Sequence, residues 1–156
     1  MNKYEKLMQN ASDNKVKVHK FRLADGLPGL YIDGNIALDP ALETDAEKAC
    51  ILAEELGHHY TSYGDISDQN KTTNRKQEHE ARVWAYKAML TPSDLFCAFK
   101  AGCRNRYEIA EFLGVSEDFL EDALSYFRTQ HPNGYANRMD HYVIRFIPNL
   151  QVGMLF

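Results

Sequence analysis

The stretch of sequence that decides the fold lies in the first half of the chain and reads Cys50-Ile51-Leu52-Ala53-Glu54-Glu55-Leu56-Gly57-His58-His59-Tyr60. Its apolar residues recur at positions 49, 52, 53, 56 and 60, which is the spacing of one face of an α-helix. Glu54 and His58 are four residues apart, so they share another face about one turn from each other. Glu55 points roughly 100° round the helix from Glu54. The stretch therefore predicts the interior of an amphipathic helix that carries carboxylates and imidazoles.

The order of these polar residues is one substitution away from a helical zinc site. In the pattern His-Glu-x-x-His, two histidines bind the ion and the glutamate serves as general base. Here Glu54 stands at the first histidine position, Glu55 follows it, and His58 stands at the second. A zinc site of this kind needs a third protein ligand from elsewhere. The candidates are His59, Asp65, Glu78, His79 and Glu80. Taken alone, the same residues also fit a solvated helix face.

Length and composition limit the class of protein. A chain of 156 residues is long enough for one domain with a substantial core. The formal net charge of −4 argues against a nucleic-acid binder that relies on phosphate neutralisation. The three cysteines form no CxxC pair, which argues against a disulfide framework and a thiolate zinc site. Because the sequence has no signal-peptide or membrane-spanning apolar run, we expect a cytoplasmic protein.

Strands are predicted near both ends of the chain. Alternating apolar and cationic residues over 16–21 indicate an edge strand that carries lysines. Asp33-Gly34 stands between two apolar runs and is a strong hairpin signal. We therefore expect a small antiparallel sheet in the N-terminal third. Residues 142–147 indicate a terminal strand, and we expect the apolar tail at 150–156 to pair with a sheet or with another chain.

Two helices carry the candidate site. Thr44 and Glu47 form a capping box, which predicts that the first helix begins ten residues before Glu54. Gly57 inside that helix predicts the close approach of another backbone. A second helix is predicted from a cap at Asn74 to about residue 90, because Pro92 ends the run.

The region after Pro92 is predicted to be helical as far as residue 130. Residues 106–128 have the spacing of a helix-turn-helix unit, with Gly114 at the turn and Ser116 as N-cap. The second helix of that unit carries four carboxylates within residues 117–122, and these would repel a DNA backbone. We therefore expect a packing module or a partner surface there, and no DNA recognition.

Two runs of sequence, taken together, match the pattern of one known family. They are Ala53-Glu54-Glu55-Leu56-Gly57-His58-His59 and Glu78-His79-Glu80-Ala81-Arg82-Val83-Trp84-Ala85-Tyr86-Lys87-Ala88-Met89-Leu90-Thr91-Pro92. They resemble the His-Glu-x-Gly-His helix and the Glu-x-Glu-Ala-x-x-Phe-Ala run of the ImmA/IrrE metallo-endopeptidases. Residues 29–38 resemble the strand before that family's active helix, and 106–128 its helix-turn-helix-like part. The resemblance covers about residues 16–130.

The resemblance implies a fold for the whole chain. That fold is an α+β, zincin-like single domain over residues 1–156. It comprises a small N-terminal antiparallel sheet and the two metal-site helices over 16–92. Helix-turn-helix-like helices follow over 93–130, and a C-terminal strand and tail over 140–156.

The resemblance also implies roles for individual residues. His58 matches the second metal ligand, Glu55 the general base, and Glu78 the third ligand, with Glu80 as the alternative. Glu54 departs from the family's histidine, but a carboxylate can also bind zinc, so the predicted ligands are Glu54, His58 and Glu78. Two carboxylates neutralise the ion, acidify its water less and favour harder cations such as Mn²⁺. We expect weaker zinc binding and slower hydrolysis than in a two-histidine site, or no metal at all.

The function implied by the resemblance is that of a cytoplasmic protease of phages and mobile elements. Such proteases cleave a helix-turn-helix repressor and so act as anti-repressors. We therefore expect a zinc metallo-endopeptidase with a protein partner, without direct contact to nucleic acid or membrane. The alternative is a degenerate, slow or inactive protease that regulates by binding a protein. Glu54 and the acidic helix at 117–122 motivate that alternative.

Overall fold

The computed structural model describes residues 1–61 and 71–155, except for the side chains of residues 71–73. Within these ranges the chain is a mixed α+β protein, as predicted. Its helices are α1 (Lys3–Asp13), α2 (Asp45–Thr61), α3 (Lys71–Met89), α4 (Pro92–Lys100), α5 (Arg106–Leu113) and α6 (Glu117–Gln130). Its strands are β1 (Lys17–Lys20), β2 (Gly29–Ile32), β3 (Asn35–Leu38), β4 (Tyr135–Asn137), β5 (Tyr142–Arg145) and β6 (Gln151–Met154).

The chain divides into two compact units, Met1–Met89 and Leu90–Phe156. The boundary lies close to the division predicted after residue 92, and the assignment of both units to one zincin-like domain stays a prediction. None of the helices in the described ranges has the length and apolar character needed to cross a membrane.

The sheet of the first unit has the strand order β1-β3-β2. β2 and β3 are antiparallel and are joined by the predicted tight turn, in which Asp33 and Gly34 both have positive φ, at 44° and 76°. β1 runs parallel to β3, with Lys17 opposite Asn35. The prediction of an antiparallel sheet is therefore wrong for β1. The chain between β1 and β2 passes to the far side of β3, so β1 meets β3 as a parallel neighbour.

Helix α2 begins where the capping box predicted. Thr44 Oγ1 accepts a hydrogen bond from the Glu47 N–H at 3.1 Å, and the Glu47 carboxylate accepts from the Thr44 N–H at 3.4 Å. Together these bonds satisfy two backbone groups that the first helical turn leaves without intrahelical partners. The apolar stripe of the helix is buried and consists of Ala49, Leu52, Ala53 and Leu56.

Helix α3 packs backbone to backbone against α2. A Cβ at Gly57 would lie 2.3 Å from the carbonyl oxygen of Ala81, so only glycine allows this approach. The structure thereby confirms the close contact predicted for Gly57. The helix begins at Lys71, so the prediction that Asn74 caps it is wrong, because residues 71–73 already belong to the helix.

The second unit contains α4, α5 and α6 with the sheet β4-β5-β6. Gly114 ends α5 in a left-handed conformation at φ 69°, and the Ser116 hydroxyl caps α6 by accepting from the Phe119 N–H at 3.1 Å. Both features were predicted. The apolar tail pairs with the sheet, since β6 is antiparallel to β5 with Gln151 opposite Arg145.

Candidate active site

The polar residues of α2 divide between two faces of the helix. Glu54 and His58 are one turn apart on one face, and Glu55 and His59 are one turn apart on the next. The first face meets α3, because His58 Nε2 lies 3.5 Å from Glu78 Oε2. The second face meets β2, where Tyr31 contacts both Glu55 and His59. Two different elements therefore hold the two faces.

Glu55 is the most electrostatically perturbed carboxyl group of this site. Its pKa is raised from 4.5 to about 7, first by burial and then by the negative charges of Glu54 and Glu78. A hydrogen bond donated by the Tyr31 N–H acts in the opposite direction and lowers the pKa. A carboxyl group with a pKa near 7 can both accept and release a proton at neutral pH, which is the property of a general base.

Gly29 allows β2 to come close enough for the bond between Tyr31 and Glu55. A Cβ at Gly29 would lie 2.5 Å from Ile51 Cγ2 and 3.1 Å from Glu55 Oε1. Any larger residue would push the strand away from the helix or displace the carboxylate. Gly29 is the first residue of the run 29–38 that resembles the family's strand, and a glycine at the start of a strand can mark such a close approach.

Tyr31 connects β2 to the turn of α2 that carries Glu55. Its hydroxyl accepts from the Gly34 N–H at 3.1 Å and lies 2.8 Å from His59 Nδ1. The hydroxyl donates to Nδ1 or accepts from it according to the tautomer of the ring, and in either case it joins β2 to His59. The sequence did not identify Tyr31 as a site residue, since its role depends on where β2 lies relative to α2.

The contact between His58 and Glu78 has the dimensions of two metal ligands. Donor atoms at 2.0–2.2 Å from one tetrahedral zinc ion are separated by about 3.3–3.6 Å. The observed separation of 3.5 Å falls in that range. The Glu78 side chain is 56% exposed, so this side of the pair faces solvent.

The other candidates for the third ligand lie in different surroundings. Glu80 Oε1 lies 4.0 Å from Lys76 Nζ, one turn back along α3. His79 is exposed, and His59 contacts Tyr31. Asp65 lies outside the described residues. Of the five candidates, Glu78 is the one with a contact to His58 among the described residues.

A complete metal site is not formed by the side chains in residues 1–61 and 71–155. In those ranges, no group of three or more His, Cys, Asp or Glu residues is arranged to hold a metal ion. Glu54 is close enough to act on the pKa of Glu55, but it does not complete a three-donor group with His58 and Glu78. One imidazole with carboxylates suits Zn²⁺ or Mn²⁺, and a cation would offset the repulsion among the carboxylates.

The comparison with protein families identifies the family to which the chain belongs. A family model described as the IrrE N-terminal-like domain, of the peptidase M78 type, matches residues 8–125 and thus more than two thirds of the chain. No curated protein and no solved structure gives a significant match. The matched range includes Tyr31, Glu55, His58 and Glu78. The chain therefore belongs to the ImmA/IrrE family of metallopeptidase-like proteins.

Proposed function

We propose that this protein is a metal-dependent endopeptidase that cleaves a helix-turn-helix repressor of a phage or mobile element and so acts as an anti-repressor. The observation that carries the proposal is the position of Glu55. Its carboxyl group is held in an environment whose burial raises its pKa, and it lies on the same helical turn as the contact between His58 and Glu78. Family membership supports peptide hydrolysis as the reaction. The choice of a repressor as substrate follows from the family resemblance.

The ligands in this proposal are His58 and Glu78, which are already in contact, and Glu54, which would join them when an ion is bound. A bound Zn²⁺ or Mn²⁺ would supply a Lewis acid that polarises the scissile carbonyl and lowers the pKa of water. The carboxylates of Glu54 and Glu78 lower the net charge of such an ion, so a slower enzyme than one with two histidines is expected. Residues Gly57 and Ala81 hold α2 and α3 at the distance that brings His58 and Glu78 together.

Glu55 serves as general base in the same proposal. Its carboxylate accepts a proton from the attacking water and later donates a proton to the leaving amine. Burial raises its pKa, and the Tyr31 N–H holds one of its oxygens, so the group is both basic enough and fixed in direction. Tyr31 is a positioning residue in this scheme, because it acts through Glu55 and His59.

The test is cleavage of the repressor encoded beside the gene. Purified protein is incubated with that repressor and with Zn²⁺ or Mn²⁺, and fragments are measured by mass spectrometry. Loss of a general base costs about 10²–10⁴-fold in rate, so Glu55→Gln should cut cleavage at least a hundredfold. Glu43→Gln is the matched control, since that carboxylate is exposed and precedes α2, and it should cleave like the unaltered protein. Undiminished cleavage by Glu55→Gln would exclude the role given to Glu55.

A second function has a specific observation in its favour. The described side chains form no three-donor group, which fits a protease-like protein that regulates by binding a repressor without cutting it. That function predicts a stable complex with an intact repressor and no effect of chelator on its affinity. Light scattering of the mixture with Zn²⁺ and with EDTA, followed by mass spectrometry of the repressor, separates the two functions. Fragments that form only with Zn²⁺ indicate hydrolysis, and a complex with intact repressor under both conditions indicates binding alone.

A further inference from the structure

Strand β1 is an edge of the first unit's sheet, and half of its backbone groups point away from that sheet. The Lys17 N–H donates to the Gly34 carbonyl and the Phe21 N–H to the Leu38 carbonyl, both at 3.0 Å. In a parallel ladder every second residue bonds to the same neighbouring strand. The backbone N–H and C=O groups of Lys17 and His19 therefore point toward β3. Val18 and Lys20 lie between them and present N–H and C=O groups outward. In the described part of the chain, these groups have no backbone partner on that side.

A cavity of about 200 Å³ opens beside this free edge. Its wall is mainly apolar and includes Met8, Leu38, Pro40 and Leu42, with Val18 and Lys20 along the strand. Small-molecule pockets usually measure about 300–1,000 Å³, so this cavity is too small for most such ligands. Its size and position suit one large apolar side chain that projects from a strand paired with β1.

Positive charge is concentrated along the same edge. Residues 14–24 contain Lys15, Lys17, Lys20 and Arg22 and no carboxylate, although the whole chain has a formal net charge of −4. Lys48, from α2, also lines the cavity, and its Nζ lies 3.9 Å from the exposed Asp45 carboxylate, a loose surface pair that a partner's carboxylate can join. The edge and the cavity rim therefore favour a ligand that carries negative charge.

The carboxylate that lines the cavity in the described structure is already engaged. Asp39 accepts hydrogen bonds from the Leu23 N–H at 3.0 Å and from the Ala41 N–H at 2.8 Å. These two bonds, and with them the positive charge of Arg22, lower the pKa of Asp39. In the described structure Asp39 makes no hydrogen bond or ion pair with Lys20 at the rim.

We propose that the β1 edge docks an extended acidic segment of a partner protein. The segment adds a strand next to β1 through the outward backbone groups of Val18 and Lys20. It inserts one large apolar side chain into the cavity, and its flanking carboxylates face Lys20 and Lys48. Lysines on an edge strand also prevent strands from pairing nonspecifically. This blocking role requires charge but no cavity beside the strand. Titration with a peptide distinguishes blocking from docking.

The experiment uses the full chain labelled with ¹⁵N and a capped heptapeptide probe. The peptide has a central leucine, a valine on each side of it and carboxylates at the other four positions. Docking predicts saturable shifts of the Val18 and Lys20 amide signals as peptide is added. A peptide with lysines in place of the carboxylates should bind at least tenfold more weakly. A peptide with N-methyl groups on its central amides should also lose at least tenfold, because it cannot complete the ladder.

Charge reversal in the protein provides the matched comparison. The double variant Lys20→Glu with Lys48→Glu should weaken binding of the acidic peptide at least tenfold. Lys87→Glu, an exposed position on α3, should leave that binding unchanged. Unchanged spectra outside β1 and the cavity would show that each variant is folded.

Three results would overturn the proposal. One is the absence of shifts at Val18 and Lys20 up to millimolar peptide, which would leave the lysines with a blocking role. Another is equal binding of the N-methylated peptide, which would exclude strand addition. The third is a shift that depends on protein concentration instead of peptide, which would identify a second copy of the chain as the occupant.

Discussion

The Tyr31 hydroxyl oxygen lies 2.8 Å from His59 Nδ1, and this contact fixes β2 against the helix that carries Glu55. The backbone N–H of the same tyrosine donates to the Glu55 carboxylate. Glu55 and His59 are one turn apart, so a single strand residue holds two successive turns of α2. The direction of the proposed base thus depends on a hairpin that lies earlier in the sequence.

Removing the Tyr31 hydroxyl tests this connection. Tyr31→Phe deletes the bonds to His59 and Gly34 but keeps the backbone bond to Glu55. A neutral hydrogen bond contributes about 0.5–1.5 kcal/mol, so we expect the free energy of unfolding to fall by about 1–2 kcal/mol in urea denaturation. The exposed Tyr107 hydroxyl bonds with Glu111 at the surface, so Tyr107→Phe is the control for loss of a solvent-exposed bond and should change the free energy of unfolding by less than about 0.5 kcal/mol. Equal stability of the two variants would contradict a structural role for the hydroxyl.

Gly57 tests the packing that brings the two helices of the site together. Ala is normally better than Gly inside a helix by about 1 kcal/mol. At position 57 the Cβ of an alanine would lie 2.3 Å from the Ala81 carbonyl oxygen, and such overpacking costs about 1–3 kcal/mol. We therefore expect Gly57→Ala to lower the thermal midpoint and to separate His58 from Glu78. Gly153→Ala meets only Val143 Cγ2 at 3.5 Å and is the matched control. A Gly57→Ala protein more stable than wild type would mean that α3 does not approach α2 as described.

Glu55 should make the metal-free protein less stable as pH rises. The pKa of Glu55 is about 7 in the folded protein and 4.5 in an unperturbed glutamate. At pH values between these two, the folded state therefore binds more protons than the unfolded state. Stability then falls as pH rises from about 4.5 to 7 and levels off above that. Glu55→Gln removes this contribution, so its stability relative to wild type should increase across the same window. Urea denaturation in EDTA at several pH values measures the difference, and a pH-independent difference would show that the Glu55 pKa is not raised.

Replacing Glu54 tests the predicted ligand that departs from the family pattern. Glu54→His places a neutral imidazole four residues before His58, which is the arrangement of a two-histidine zinc helix. We expect zinc affinity in calorimetry to rise at least tenfold, and Glu54→Gln to lower it. The opposite order would place Glu54 outside the metal site.

The sequence predicted features that depend on neighbouring residues. The capping box at Thr44, the turn at Asp33-Gly34 and the N-cap at Ser116 each require contacts within four residues of the chain. The parallel pairing of β1 could not be predicted in the same way. It depends on which side of β3 the chain reaches after leaving β1, and local pattern does not determine that.

The choice between Glu78 and Glu80 has the same physical limit. Two residues apart on a helix, they point to different faces, and spacing alone does not say which face meets α2. The contact of Gly57 with Ala81 orients α3, and in this orientation Glu78 meets His58. Tyr31 likewise acquires its role only once β2 lies beside α2. The residue types of the site could thus be predicted from the local sequence pattern, whereas the pattern alone did not predict which of these residues contact each other.

The most direct test of the central claim is anomalous X-ray scattering at the zinc edge, from crystals of the protein grown with Zn²⁺. We expect one peak at about 2.0–2.2 Å from a ring nitrogen of His58 and from carboxylate oxygens of Glu78 and Glu54, with Glu55 close by but not coordinating. A crystal without a peak at His58, or with a peak that Glu78 does not coordinate, would contradict it.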